Sequence, residues 1–351
     1  MNRRLKRKWL LRTGAALVAG LALCALFFAP TPYVIYKPGL AADVGPMVRT
    51  ADPKVAEGSV LMLTTVRQTY PGPAEYMLAR VRSDWEVFRK SQIFREGETR
   101  RDYLNRQQVI MQSSQSNAIR AAYAAAGIRY ELVSEGVRIV QVIAGMPAHG
   151  VLRPGDKLLE IDGRRIEKSE DVFALLAGKR VGEPVTVAVE RDGKRVEAAF
   201  AMGDFNALEE PEGGGGEPRP GLGIQPADLV AIEPEDPVHR VDIRVDGIGG
   251  PSAGLMFALE IYDQLTEGDL TRGYKIAGTG EIDPEGNVSA IGGVRHKVTA
   301  AHREGAEVFL VPEANYEAAK ERADALGTAM AVVKVRTLQD ALDALAGLPA
   351  R

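Results

Sequence analysis

Cysteine is nearly absent from this chain of 351 residues. Cys24 is the only one, so no disulfide can close within the chain and no cysteine-based zinc site can be built. The four histidines are His149, His239, His296 and His302, and no two of them stand at HxxxH or HExxH spacing. Neither sign of charge is in excess. The 44 Lys and Arg against 47 Asp and Glu give a formal net charge of −3, without the global basic bias that a nucleic-acid partner calls for. A phosphate-binding loop is missing too. Gly150-Val151-Leu152-Arg153-Pro154-Gly155-Asp156-Lys157 comes near one but lacks the Gly-Lys-Ser/Thr ending. These absences lead to an expectation of no metal, no cofactor, no nucleotide and no nucleic acid.

What is present is a globular composition, 45% hydrophobic and 26% charged, on a chain long enough for two or three cores. The expected class is a multidomain α+β protein. Its N-terminus is distinctive. Arg3, Arg4, Lys6, Arg7, Lys8 and Arg12 precede an uncharged stretch from Thr13 to Tyr36. Thr13–Ala29 is almost purely apolar, near the lower length limit for a membrane-spanning helix. Pro30 and Pro32 end it, and Tyr33 and Tyr36 suit the interface. Residues 1–37 are therefore read as a cytosolic basic flank and an uncleaved transmembrane anchor, with the bulk of the chain outside the cytosol. Two alternatives fit less well. Leu26-Phe27-Phe28-Ala29-Pro30 is a poor signal-peptide cut site, and bulky Leu23 disfavours lipidation of Cys24.

Residues 38–127 read as a stalk followed by a spacer: a polar Gly- and Pro-containing stretch to residue 55, a buried strand at Ser59–Val66, and helices at 74–94 and 99–126. No chemistry is legible there. Residues 128–203 change character. Gly136-Val137-Arg138-Ile139-Val140 reads as a glycine-opened strand, Leu152-Arg153-Pro154-Gly155-Asp156 as a turn, and Leu159-Glu160-Ile161-Asp162-Gly163 as a strand into a tight turn. A helix near 169–178 and a hairpin turning at Asp192-Gly193 follow. This pattern resembles a bacterial PDZ domain over roughly 70 residues. The resemblance implies a mainly-β module in which a peptide adds as a β-strand. Its carboxylate-binding loop is expected at Gly136, Val137, Arg138, Ile139 and Val140, where successive amides form an anion nest. Residues 204–220, with four consecutive glycines, read as a linker. Residues 221–351 alternate strands and helices and form the last domain.

Three segments of that domain carry chemistry. Gly249-Gly250-Pro251-Ser252-Ala253-Gly254 precedes an apolar helical run, so Ser252 sits at a glycine turn beside a helix N-terminus. Free N–H groups at Gly249, Gly250 and Ser252 could hold a developing oxyanion. A serine at this place is also an ordinary helix cap. Ile291-Gly292-Gly293 leads a second helix, on which Lys297 falls among Val294, Val298 and Ala301. Lysine on an apolar face loses its proton readily and can serve as a base, or it can simply lay its stem along the core edge. Thr279, at the end of a strand through Tyr274–Ala277, could hydrogen-bond the amine and orient its lone pair, or be an ordinary strand-end threonine.

Taken in order, Gly-Pro-Ser-Ala-Gly, Thr-Gly-Glu-Ile and Ile-Gly-Gly-x-x-x-Lys resemble the proteolytic domain of Lon proteases over about 130 residues, on through Glu307-Val308-Phe309-Leu310-Val311-Pro312. The resemblance implies Ser252 as nucleophile, Lys297 as general base and Thr279 as its support. Arg295 stands where the family has its first lysine, and Gly249 where the ATP-dependent members often carry an acid. The order of anchor, PDZ and Lon-type domain resembles the membrane-anchored PDZ–Lon serine proteases of bacteria, the YlbL-type family. That resemblance implies an ATP-independent endopeptidase acting on exposed or unfolded polypeptide segments outside the cytosol. It further implies a PDZ module that selects substrate or gates the site, and a homo-oligomeric ring, a hexamer. The competing readings are a non-catalytic PDZ adaptor with a Lon-like assembly domain, and an esterase or amidase using the same dyad.

Overall fold

A strand whose two faces are both apolar needs a layer on each side and a neighbour at each edge. The computed structural model, which describes residues 3–54, 60–209 and 217–351, draws those partners from widely separated stretches of the chain. Helix α1 (Arg3–Phe28) is followed after a few residues by β1 (Tyr33–Asp43), then β2 (Val60–Thr69), the short α2 (Pro73–Ala79), β3 (Glu86–Arg89) and the long α3 (Arg100–Ala126). A second group runs β4 (Tyr130–Val142), β5 (Lys157–Ile161), α4 (Ser169–Leu176), β6 (Pro184–Arg191), β7 (Lys194–Ala201) and β8 (Ile224–Pro234). The chain ends with α5 (Gly254–Leu265), β9 (Lys275–Gly278), α6 (Val294–Arg303), β10 (Val308–Pro312), α7 (Tyr316–Leu326), β11 (Ala331–Val335) and α8 (Leu338–Ala346).

The main sheet has the order β11-β10-β9-β2-β1-β3. β11, β10, β9 and β2 run parallel; β1 is antiparallel to β2, and β3 is antiparallel to β1. Alternation along β2 sends Leu61 and Leu63 into one core with α3, α5 and α8, and Met62 into the other with α6 and α7. Helix α5 lies inside the first core. Leu255, Met256, Phe257, Leu259 and Ile261 are all fully buried, each worth about 1.5–3 kcal/mol, so the turn ahead of it is firmly anchored.

This topology corrects the reading of residues 38–127. They are neither stalk nor spacer: β1, β2 and β3 make half of the main sheet, and α3 packs along α5. Val44 and Val48, in the stretch expected to be polar stalk, are core residues. Buried β2 could not exist without neighbours, and β1 and β9 supply them. The strand expected at Ser59–Val66 forms over Val60–Thr69, Ser59 lying outside the described residues. The helix expected over 74–94 stops at Ala79 and gives way to β3, because β1 offers an edge that Glu86–Arg89 fills.

The second sheet has the order β8-β4-β5-β6-β7 around its own core of Val137, Ile139, Leu158, Ile161, Val187 and Leu222. Asp192 and Gly193 both adopt positive φ at the β6–β7 turn. The boundary expected at residue 221 is displaced, since β8 pairs with β4 along its whole length, from Ile224↔Val142 to Pro234↔Tyr130. The segment expected as a linker, of which residues 210–216 lie outside those described, leaves and rejoins this same unit through the paired strands Gly203–Asp204 and Pro220–Gly221. The second sheet is thus inserted between α3 and α5, entering and leaving by adjacent strands.

Candidate functional site

The turn Gly249–Ser252 is held from below by α3. Gly250 adopts φ +88°, the left-handed region that favours glycine. The Gly250 N–H donates to the Gln107 carbonyl at 3.1 Å, and the buried Ser114 hydroxyl donates to the Pro251 carbonyl at 2.9 Å. Ser252 itself is half-buried, two residues ahead of α5.

Lys297 enters from α6, which packs on β1 and β2. Only 3% of it is exposed. Its Nζ lies 2.7 Å from Ser252 Oγ, 2.9 Å from Thr279 Oγ1 and 2.9 Å from the Thr64 carbonyl oxygen. Burial brings the lysine pKa down to about 7, and no carboxylate among the described residues pairs with it. The Thr279 hydroxyl donates to the Ser252 carbonyl at 2.9 Å, so its remaining capacity is to accept from the amine. A neutral amine has two N–H groups and one lone pair. With the N–H groups directed to Thr64 and Thr279, the lone pair is left for the Ser252 hydroxyl proton. The arrangement can generate a nucleophilic serine near neutral pH.

Sequence reasoning named Ser252, Lys297 and Thr279, and the fold brings them together. It missed Thr64, which acts through its backbone carbonyl and therefore leaves no side-chain signal. It also missed Gln107 and Ser114. Of the expected oxyanion donors, Gly250 is corrected: its N–H is engaged by Gln107. No intramolecular acceptor is found for the Gly249 and Ser252 N–H groups among the described residues. Cavities of about 390, 610 and 290 Å³ flank α3, and none is lined by Ser252, Thr279 or Lys297.

The expected peptide-binding loop at Gly136, Val137, Arg138, Ile139 and Val140 is also corrected. β4 is paired on one side with β8 and on the other with β5, through Val137↔Leu158 and Arg138↔Lys157. No edge is left there for an added strand. Among the described residues the sheet ends at two edges, β8 and β7, and the one beside α4 is β8, which opens from Gly221-Leu222-Gly223. Ser169, at the start of α4, donates through N–H and hydroxyl to Asp228 of β8 at 2.6 and 2.7 Å. Arg138 instead lines clefts against α3. The glycine signal at 221–223 was visible in the sequence but was assigned to the following domain.

Residues 124–201 match the PDZ domain family, and residues 245–347 match the Lon protease C-terminal proteolytic domain. Similar curated proteins include the Lon protease of Fusobacterium nucleatum, 41% identical over 91 residues, 26% of this chain and 12% of that protein. The Lon protease of Campylobacter concisus is 37% identical over 123 residues, 32% of this chain and 14% of that one. Lon protease 2 of Bacillus subtilis is 34% identical over 117 residues, 32% of this chain and 20% of that one. The chain thus spans 12–20% of the length of these relatives. Among solved structures, the PDZ domain of an SdrC-like protein from Listeria monocytogenes is 26% identical, covering 27% of this chain and 90% of its own, with a TM-score of 0.23. The chain carries a PDZ domain and a Lon-type proteolytic domain. Leu11–Phe28 is in addition long and apolar enough to cross a membrane.

Proposed function

We propose that this chain is a serine endopeptidase, held at a membrane by α1 with its N-terminus cytosolic, that cleaves exposed or unfolded segments of extracytoplasmic proteins. The observation that carries the reading is the 2.7 Å approach of a buried lysine amine to Ser252 Oγ. As Ser252 Oγ attacks the scissile carbonyl carbon, its proton passes to Lys297 Nζ. The oxygen of the tetrahedral adduct gains negative charge beside the Ser252 N–H, and Gly249 can supply a second donor. Collapse breaks the C–N bond, and the Lys297 ammonium gives its proton to the leaving amine. Lys297 then takes a proton from water as its oxygen attacks the ester, and returns it to Ser252. Thr279 and the Thr64 carbonyl hold the amine in place throughout.

No phosphate-binding motif occurs in these 351 residues, so they supply no ATP-driven unfolding, and substrates must present loose segments. The free β8 edge is where a substrate terminus would add, giving the PDZ domain its part in selection or gating. The test is cleavage of an unstructured protein by the full chain in nanodiscs, compared with Ser252→Ala and Lys297→Ala, all verified as folded. Cleavage by the wild type alone is expected. Equal cleavage by all three would remove the dyad from the account. No cleavage by any, also after removal of the PDZ domain, would favour a non-catalytic adaptor.

A further inference from the structure

The main sheet begins almost where α1 ends, and the short helix between them has an uncovered face. The chain leaves α1 at Phe28 and enters β1 at Tyr33. Gly72 lies so close to α1 that a Cβ on it would sit 2.1 Å from the Phe27 carbonyl oxygen. The Thr31 hydroxyl donates to the Pro71 carbonyl at 2.7 Å, Tyr33 stacks on Tyr76 with ring centroids 4.3 Å apart, and Lys37 pairs with Glu75. Helix α2 is therefore fixed beside the exit of α1 and to the edge of the sheet. On it and the turn that follows, Met77, Leu78 and Val81 are 58%, 49% and 79% exposed. Their spacing puts them on one face. Exposed Arg80 closes α2, exposed Arg89 stands opposite Tyr33 in the β1–β3 pair, and Arg82 lies at the edge beside Asp84.

A contiguous apolar face rimmed by cations, continuous with an apolar helix of membrane-spanning length, fits one surface in particular. We propose that α2 and its following turn lie in the outer headgroup layer of the bilayer that α1 crosses. Met77, Leu78 and Val81 reach the acyl boundary, while Arg80 and Arg89 meet lipid phosphates. Tyr33 and Tyr76 suit the same depth. The inference rests on the anchor reading above. Its consequence is a protease held flush with the membrane in one orientation, because α2 is tied to the sheet on which Lys297 packs. The substrate class is then the loops and tails of membrane proteins close to the surface.

The test uses the full chain in nanodiscs of phosphatidylcholine and phosphatidylglycerol. Single cysteines, Leu17→Cys, Leu78→Cys, Val81→Cys or Val151→Cys, are placed in a Cys24→Ser background and labelled with a fluorophore. Position 17 lies in α1, and Val151 is an exposed site on the PDZ domain. Spin-labelled lipids are then added as quenchers. Label at 17 should lose fluorescence to a deep spin label, labels at 78 and 81 to a shallow one, and label at 151 to neither. Quenching at 17, with 78 and 81 behaving like 151, overturns the inference and leaves the anchor standing. No quenching at 17 removes the anchor, and the inference with it. Labels at 78 and 81 that are shielded from aqueous iodide yet not quenched by lipid point to a second copy of the chain on this face, which also overturns it.

Discussion

The Thr279 hydroxyl accepts from Lys297 Nζ at 2.9 Å while donating to the Ser252 carbonyl at 2.9 Å. One side chain thus fixes both the amine and the backbone of the residue the amine faces. Thr279→Val keeps the shape and removes both bonds. A fall in kcat of about 10- to 100-fold is expected, about 1.4–2.8 kcal/mol in the barrier, with KM little changed. Thr279→Ser should restore most of the rate, since its hydroxyl can make the same two contacts. Steady-state kinetics on an unstructured polypeptide measures the split.

The depressed lysine pKa sets the direction of the pH profile. In the proposed mechanism the free amine is the working form, and burial brings its pKa down to about 7. Activity should therefore be low near pH 6, rise through about 7 as Lys297 loses its proton, and level off above 8, provided acylation limits the rate. A profile flat from pH 6 to 9 would count against an amine base.

The same burial costs stability. The lysine has its ordinary value of 10.5 in the unfolded chain and about 7 in the fold, so between those values the unfolded state binds the extra proton. Stability from this group rises with pH across that window and its cost is fully present below about 7. The shift corresponds to an upper bound of about 5 kcal/mol, partly offset by the bonds to Thr279 and Thr64. Lys297→Met should therefore be inactive yet more stable than the wild type at pH 7, by about 1–3 kcal/mol. Its advantage should shrink as pH approaches 10, as read from urea unfolding midpoints.

What the sequence disclosed depended on how local each signal was. Ser252, Lys297 and Thr279 each lie in a short segment whose glycines and apolar spacing point at one side chain, and all three were legible. Thr64 was not, because its contribution is a carbonyl on a strand that reads only as buried. The half of the main sheet formed by β1, β2 and β3 was missed for a related reason. Strand pairing across more than 200 residues, as between Leu61 and Ile276, is a property of topology and leaves no trace in local periodicity. The insertion of the PDZ domain was hidden likewise. The glycine-rich stretch suggested a boundary, but β8 follows it and returns to β4, so the true junctions fall at Arg129 and Glu235.

Helix α3 belongs to the site although it contributes no reacting group. Ser114→Ala removes the donor to the Pro251 carbonyl and loosens the turn that aims Ser252. A kcat lower by about tenfold is expected, since small displacements of a nucleophile are costly. Ser114→Thr, which keeps the hydroxyl, should recover part of the loss. Gly250→Ala should be more damaging, as a side chain is strained at φ +88°.

The junctions also prescribe how the PDZ domain should be removed. Deleting residues 130–203 would strip β4 through β7 and leave β8 without a partner, exposing a long strand to aggregation. The Glu235 N–H instead donates to the Arg129 carbonyl at 3.0 Å, and Leu132 pairs with Ile232 just beyond. Joining Leu132 to Ile232 through Asn-Gly turns the insertion into a hairpin and keeps Tyr130 and Ile232 against the main core. This variant should unfold cooperatively and still cleave an unstructured polypeptide. If the PDZ domain recruits substrates, the variant loses discrimination among proteins with different C-termini while its turnover of short peptides is unchanged. If it gates the site, turnover of short peptides rises. Selectivity and rate both equal to the wild type would remove the PDZ domain from either role.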